Sequence, residues 1–171
     1  IYVDVSQPHT GGVIGLLDRD VTLAAAANNC QSLTDTLAIV DGGGQQWNTF
    51  GGMGAIADGT TVTFANMKVQ NTHAYRGGLL FVRQNGKLVL EGSQLVSGTA
   101  EVEGGAVHVS QGGTLWMTDG SAIYSNEVTE TFGTGAGVSV ESGSMTMRDS
   151  FVGGDPFNVS ANTGGGVTLE T

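Results

Sequence analysis

The sequence predicts an all-β fold, a right-handed, single-stranded parallel β-helix of about five to six stacked coils. Three observations carry that reading. The first is alternation. In the stretch GGAVHVSQGGTLWMTDGSAIYSN, from Gly104 to Asn126, Val107 and Val109 alternate with Ala106 and His108, Leu115 and Met117 alternate with Thr114 and Trp116, and Ile123 follows the turn Asp119-Gly120-Ser121. Period-two patterns closed by turn residues mark strands. The second is repetition. Met53-Gly54-Ala55-Ile56, Gly77-Gly78-Leu79-Leu80, Gly104-Gly105-Ala106-Val107, Gly135-Ala136-Gly137-Val138 and Gly164-Gly165-Gly166-Val167 start at 53, 77, 104, 135 and 164, spacings of 24, 27, 31 and 29. A second register follows each: Gly59 to Phe64, Gly86 to Leu90, Gly113 to Met117 and Gly143 to Met147. The third is composition. The 29 glycines follow no Gly-X-Y period, and only two prolines occur, as long backbone ladders require. The right hand comes from the general rule for parallel crossovers.

Taken in order, Ile1 to Val5 alternates and reads as a first strand, followed by Gly11 to Ile14 and Val21 to Leu23. Ala24 to Ala27 favours a helical turn, so a short helix or loop is expected there, before Cys30, a lone cysteine without an internal disulfide partner. Leu37 to Val40 resumes a buried strand, turned by Asp41-Gly42-Gly43-Gly44. Residues 1–52 are thus expected as irregular N-terminal coils capping the core, and 53–171 as regular coils of one domain, 1–171. The inward positions are Ile56, Leu80/Val82, Val107/Val109, Val138/Val140 and Val167/Leu169 on the first strand of each coil. On the second they are Val62/Phe64, Leu88/Leu90, Leu115/Met117 and Met145/Met147. A one-residue slip would turn all of these to solvent. The third side varies in length: Thr72 to Arg76, Thr99 to Glu103 and Glu127 to Thr134 are expected to protrude as loops stacked coil above coil. With a strand at each end and no initial Met, the expectation is a mature product, a piece of a larger protein or a unit that stacks head to tail.

Function is read from charge and from the outward positions. A formal charge of -10 with six Lys plus Arg argues against nucleic acid and anionic membranes, and no run of 18 apolar residues exists to span a bilayer. The composition, acidic and rich in Thr, Ser, Gly and Asn, is that of extracellular or cell-surface proteins. Alternation places Phe81 beside His108 on one face, and Val89 beside Trp116 on another, flanked by Thr63 and Thr146. Aromatics on a flat Thr-rich face suggest a contact surface, for lateral packing or carbohydrate stacking; isolated apolar residues covered by loops are the alternative. An ice-binding face would need a Thr ladder that Val89 and Trp116 interrupt.

The GGAV of Gly104 to Val107 resembles the GGA[ILV] motif of chlamydial polymorphic outer-membrane proteins, with Gly164-Gly165-Gly166-Val167 a near match. The Phe-x-x-Asn that precedes the motif in those proteins has aliphatic counterparts in Ile123-Tyr124-Ser125-Asn126 and Val159-Ser160-Ala161-Asn162, whereas Gly98 stands where another Asn is expected. This resemblance covers residues 53–171, and the chain is also similar to the β-helix repeats of large bacterial surface proteins and autotransporter-like passengers. The resemblance implies adhesion or surface display without enzymatic activity, and Asn71, Asn126 and Asn162 in inward or corner positions bonding backbone.

Chemistry is sparse. Many polysaccharide lyases and epimerases are parallel β-helices, but Asp155-Pro156-Phe157-Asn158 lacks the His and Glu of the Asp-Pro-His-Glu of alginate-type epimerases. His73, Tyr75 and Arg76 offer a base, a phenol and a guanidinium on one segment, which general acid–base work would need converging on a cleft with an acid. Asp119, Asp149 and Asp155 lie far apart in the pattern and the Gly-Gly-x-Gly-x-Asp nonapeptide repeat is absent, which leaves calcium in the turns as an open alternative, and three His with one Cys show no metal-ligand spacing. Asn158-Val159-Ser160 is a glycosylation sequon. The expectation is therefore a non-enzymatic extracellular structural protein, without cofactor or metal, acting in adhesion or fibre assembly. It would bind itself or a surface or carbohydrate ligand through Trp116, Phe81, His108, Val89, His73, Tyr75 and Arg76. The alternative is a polysaccharide lyase or epimerase.

Overall fold

A computed structural model describes residues 2–4, 9–10, 14–26, 37–153, 159–162 and 166–170. Among them are 21 strands and no helix. The chain winds in rotation through three parallel sheets of six, seven and eight strands. The six-stranded sheet holds Leu80–Val82, Val107–Val109 and Val138–Glu141. The seven-stranded sheet holds Thr61–Ala65, Lys87–Glu91, Thr114–Thr118 and Ser144–Arg148. The eight-stranded sheet holds Met67–Arg76, Gln94–Val96, Thr99–Glu103 and Ala122–Tyr124. Each strand pairs with its counterpart in the adjacent coils: Leu88 stands between Val62 and Leu115, and Val107 between Leu80 and Val138. This is the parallel β-solenoid that alternation and repetition predict.

The core follows the alternation. Ile56, Leu80, Val82, Val107, Val109, Val138 and Val140 are fully buried, as are Val62, Phe64, Leu88, Leu90, Leu115, Met117 and Met145. The eight-stranded sheet adds Met67, Val69, Leu95 and Ile123. Burying one such side chain stabilises the fold by about 1.5–3 kcal/mol. Two serines form a ladder inside a corner: Ser93 Oγ accepts from Met67 N at 3.0 Å, and Ser121 Oγ accepts from Ser93 N at 3.1 Å.

The Gly-Gly pairs have a double cause. Gly51, Gly77, Gly104 and Gly135 share positive φ, from 63° to 74°. The residues after the first three, Gly52, Gly78 and Gly105, have no room for a Cβ, which would run into the carbonyls of Gly78, Gly105 and Ala136 one coil on. The stacked set is therefore 51, 77, 104 and 135, a period of 26, 27 and 31. The first motif starts at Gly51, two residues before the Met53 start that the sequence suggests. A two-residue shift preserves parity, so the inward set is unchanged.

Other expectations change. Ala24 and Ala25 belong to a strand, Val21–Ala26, paired with Tyr2–Asp4 on one side and Thr61–Ala65 on the other. Four alanines are too few to nucleate a helix, and two flanking strands supply a ladder. Asp41 to Gly44 does not end its strand but bulges within Ala38–Phe50, with Gly43 N donating to Asp41 Oδ1 at 2.7 Å. The supposed loops Thr72 to Arg76 and Thr99 to Glu103 are strand, paired Thr99 to His73 and Ala100 to Ala74. Their chain length is taken up by a bend at Asn71, whose φ is 66°, so that Met67–Arg76 serves two neighbours, Gln94–Val96 and Thr99–Glu103. Glu127–Val128 is also strand, and the chain after it turns before Thr134. Finally, Gly166–Glu170 pairs with Ser144–Arg148 in the seven-stranded sheet, and Val159–Asn162 pairs with Val138–Glu141 in the six-stranded one. Gly166 and Val167 thus stand in the second register and not the first, and Val159 to Asn162 is not equivalent to Ile123 to Asn126. Short motifs fix a turn, whereas strand pairing fixes the sheet. Cys30 and Asp155 to Asn158 lie outside the described residues.

Candidate functional site

Two faces carry the candidate residues. On the seven-stranded sheet, Val89 pairs with Trp116, and Thr63 and Thr146 flank them, as alternation predicts. With Thr22 the outward row reads Thr22, Thr63, Val89, Trp116, Thr146, one residue per coil. Coils about 4.8 Å apart set the spacing of this row. Trp116 is half-buried, and Lys87 Nζ stands 5.5 Å from the centre of its ring. The parallel row Thr61, Lys87, Thr114, Ser144 continues the polar surface, with Thr114 Oγ1 and Ser144 Oγ 3.2 Å apart. Asp20, Val21, Thr22, Thr61 and Thr63 line a shallow groove at the N-terminal end of this face.

The six-stranded sheet is different. His108 pairs with Phe81, and the rings stack at 5.1 Å with 11° between planes. His108 was expected on an open contact surface, but it is 0% exposed. The cover comes from the column immediately before the paired glycines: Phe50, Arg76, Glu103 and Thr134 stack coil upon coil. Glu103 Oε2 stands 3.4 Å from His108 Nδ1, and Glu141 Oε2 stands 3.5 Å from His108 Nε2. Arg76 lies between the same two oxygens, with Nε 3.5 Å from Glu103 and Nη1 3.7 Å from Glu141. Phe50 leans on Phe81 at 4.9 Å and meets Tyr75 edge-on at 6.2 Å. Burial first, and the Arg76 guanidinium second, push the pKa of the His108 imidazole down to about 4. It is neutral at pH 7.

His73, Tyr75 and Arg76 do not act as one group. They lie on a strand, where His73 and Tyr75 share the outward face. His73 Nε2 is 3.9 Å from Glu101 Oε1, Tyr75 is 41% exposed, and Arg76 turns into the His108 cluster. Arg76, Phe81 and His108 are therefore brought together. Tyr75 joins them through Phe50, and Trp116 and Val89 stand on a different sheet. Glu103 and Glu141 are the residues that sequence reasoning missed. A signal existed for Glu103: Phe50, Arg76, Glu103 and Thr134 each precede a glycine that is first in its corner, so the column was readable once the glycines were aligned.

Among the described residues, Glu103, His108 and Glu141 form a set able to hold a metal ion, with one ligand atom from each lying within 4.8 Å of the others. Asn126 is structural, as its motif implies: Nδ2 donates to Leu95 O at 3.2 Å and Tyr124 O at 2.9 Å, while Oδ1 accepts from Gly98 N at 2.8 Å. It serves its own coil and the one before, which explains Gly98 at the preceding Asn position: a Cβ there would meet Leu79 Cγ at 2.6 Å. Asn71 instead donates to the Asp41 carboxylate at 3.1 Å, a side-chain contact where a backbone one was expected. The side chain of Asn162 lies outside the description. Comparison with family models, with curated proteins and with solved structures gives no match, so fold and site rest on this chain's own residues.

Proposed function

We propose that the protein is an extracellular or cell-surface structural β-solenoid that works through contact, in adhesion or in assembly with copies of itself. The observation that carries this reading is the outward row Thr22, Thr63, Val89, Trp116, Thr146 on a sheet face with a polar row beside it. Regularly spaced hydroxyls around one aromatic ring suit an extended, repetitive partner, either a glycan chain stacking on Trp116 or the same face of a second copy. The surface role implied by the resemblance to chlamydial outer-membrane proteins and autotransporter passengers agrees with it.

The test is Trp116→Ser. Glycan-array binding and sedimentation of the purified chain should both be followed beside circular dichroism. Loss of binding or of association with an unchanged spectrum supports the proposal; unchanged binding and association overturn it. A lyase or epimerase is the second reading, favoured by one observation, the convergence of Arg76 with Glu103, Glu141 and His108. Proton abstraction from a sugar requires a base that the sugar can touch, and His108 is sealed. Release of unsaturated uronate by the wild type but not by Glu141→Gln would put that reading first.

A further inference from the structure

The geometry points to a binding site for one divalent transition-metal ion of the zinc class, with Glu103, His108 and Glu141 as its protein ligands. Carboxylates alone would not carry this; His108 does. Its side chain is fully buried, and neither ring nitrogen has a hydrogen-bond partner. Burying an imidazole that way is costly. A carboxylate oxygen faces each ring nitrogen, at 3.4 Å and 3.5 Å. Both separations exceed an ordinary N–H···O bond, at most about 3.2 Å. They match the spacing of two ligands on one tetrahedral ion, where bonds of about 2.1 Å put donor atoms about 3.4 Å apart.

An ion beside one ring nitrogen would take that nitrogen's lone pair and its nearer carboxylate. The other carboxylate closes the set by a rotamer change, because all three donor atoms already lie within 4.8 Å of one another. The nitrogen ligand selects the class: imidazole with carboxylates suits Zn²⁺ or Co²⁺, whereas Ca²⁺ and Mg²⁺ want oxygen throughout. The supports are rigid. Glu103 ends the strand Thr99–Glu103, His108 is central in Val107–Val109, Glu141 ends Val138–Glu141, and the Phe81 ring fixes the imidazole plane. A bound ion would thus tie two successive coils together. The spacing of Cys and His along the chain gives no sign of a metal, because these ligands converge only when coils stack. Arg76 is the ion's rival, since its guanidinium faces the same two carboxylate oxygens at 3.5 Å and 3.7 Å.

That rivalry supplies a test that a simple ion-pair cluster would fail. The full chain, freed of metal with a chelator, is titrated with Zn²⁺ by calorimetry and with Co²⁺ by visible absorption. One ion per chain is expected, with the intense cobalt bands of low coordination number and a rise in Tm on zinc addition. Losing a ligand should cost more than the loss of an outer-shell partner, so Glu141→Gln should weaken binding by more than about 100-fold. His108→Phe, which keeps the stack on Phe81, should abolish it. Arg76→Gln should tighten it, and His73→Ala should leave it unchanged. The site is overturned by the absence of saturable zinc binding, by unchanged affinity in Glu141→Gln, by weaker binding in Arg76→Gln, or by equal competition from Ca²⁺. If His108→Phe does not fold, Glu141→Gln and Arg76→Gln decide the matter alone.

Discussion

Trp116 and His108 occupy the same kind of position, the outward centre of a short strand one sheet apart, yet one is half-open and the other is sealed. On the seven-stranded face the neighbours of Trp116 are Val89, Thr146 and Lys87; only the slender Lys87 chain reaches over the ring, and it leaves the indole half-open. On the six-stranded face the neighbouring corner delivers Arg76 and Glu103, the strand end delivers Glu141, and together with Phe81 they close over the imidazole. Alternation decides which side of the solenoid wall a residue takes. It does not decide whether that side is wet, because that depends on what the adjacent corner carries.

The largest effect is expected where the corner itself is broken. In Gly105→Val the added side chain would strike the Ala136 carbonyl of the next coil and the Glu127 backbone, so the corner that seats Glu103 and His108 cannot close. A loss on the order of 3 kcal/mol or more is expected, read as a collapse of Tm together with lost protection of His108 in hydrogen exchange. Two adjacent residues then separate the faces of one strand. Leu115→Ala, at a fully buried position, should cost about 2–5 kcal/mol, whereas Trp116→Ser, on the open face, should cost about 1 kcal/mol or less. Equal losses in urea denaturation would mean that the seven-stranded face is covered after all.

A corner without charge offers the next comparison. Asn126→Ala removes three hydrogen bonds and strands the buried Gly98 N–H, so about 2–3 kcal/mol should be lost. Asn126→Asp should be little better, because it replaces the donor amide with a carboxylate aimed at the Leu95 carbonyl. The smallest effect belongs to the eight-stranded face. Partial burial of Asp41 opposes its charge, but hydrogen bonds from Gln70, Gly43 and Asn71 and the Lys68 charge outweigh that and lower its pKa below 3.8. The unfolded chain then binds the proton more readily than the folded one. Asp41 therefore contributes stability fully above its unfolded value, and that contribution is lost as pH falls through the lower folded value. Asp41→Asn should flatten the Tm against pH curve only in that acid window, and a change near neutrality would count against the assignment.

The corner glycines show how far the sequence could be read. Gly77-Gly78 and Gly104-Gly105 announce a tight corner in any context. Placing Gly51 beside Gly77, in place of Met53, needed the pairing of Gly54 with Leu80. Val159 to Asn162 and the Gly166-Val167 end of a glycine motif copy patterns from elsewhere in the chain, yet they join other sheets, because a four-residue pattern carries less free energy than a ladder with its neighbour. Trp116, Val89 and Phe81 stand where alternation places them. The open role given to His108, and the loop given to His73, Tyr75 and Arg76, did not survive the stacking.

By itself the sequence determined the solenoid, its inward residues and its glycine corners, because each follows from a local rule: period-two alternation, turn chemistry and a repeat near the length of one coil. Only the tertiary structure decided which outward residues are covered and which charges meet. Glu103 and Glu141 are 38 positions apart in the chain (141 minus 103) and lie in successive coils. They face one imidazole because coil length, strand register and the left-handed bends at Ser97 and Ser125 together set where each coil ends. Those are sums over a whole turn of chain, and no short window contains them.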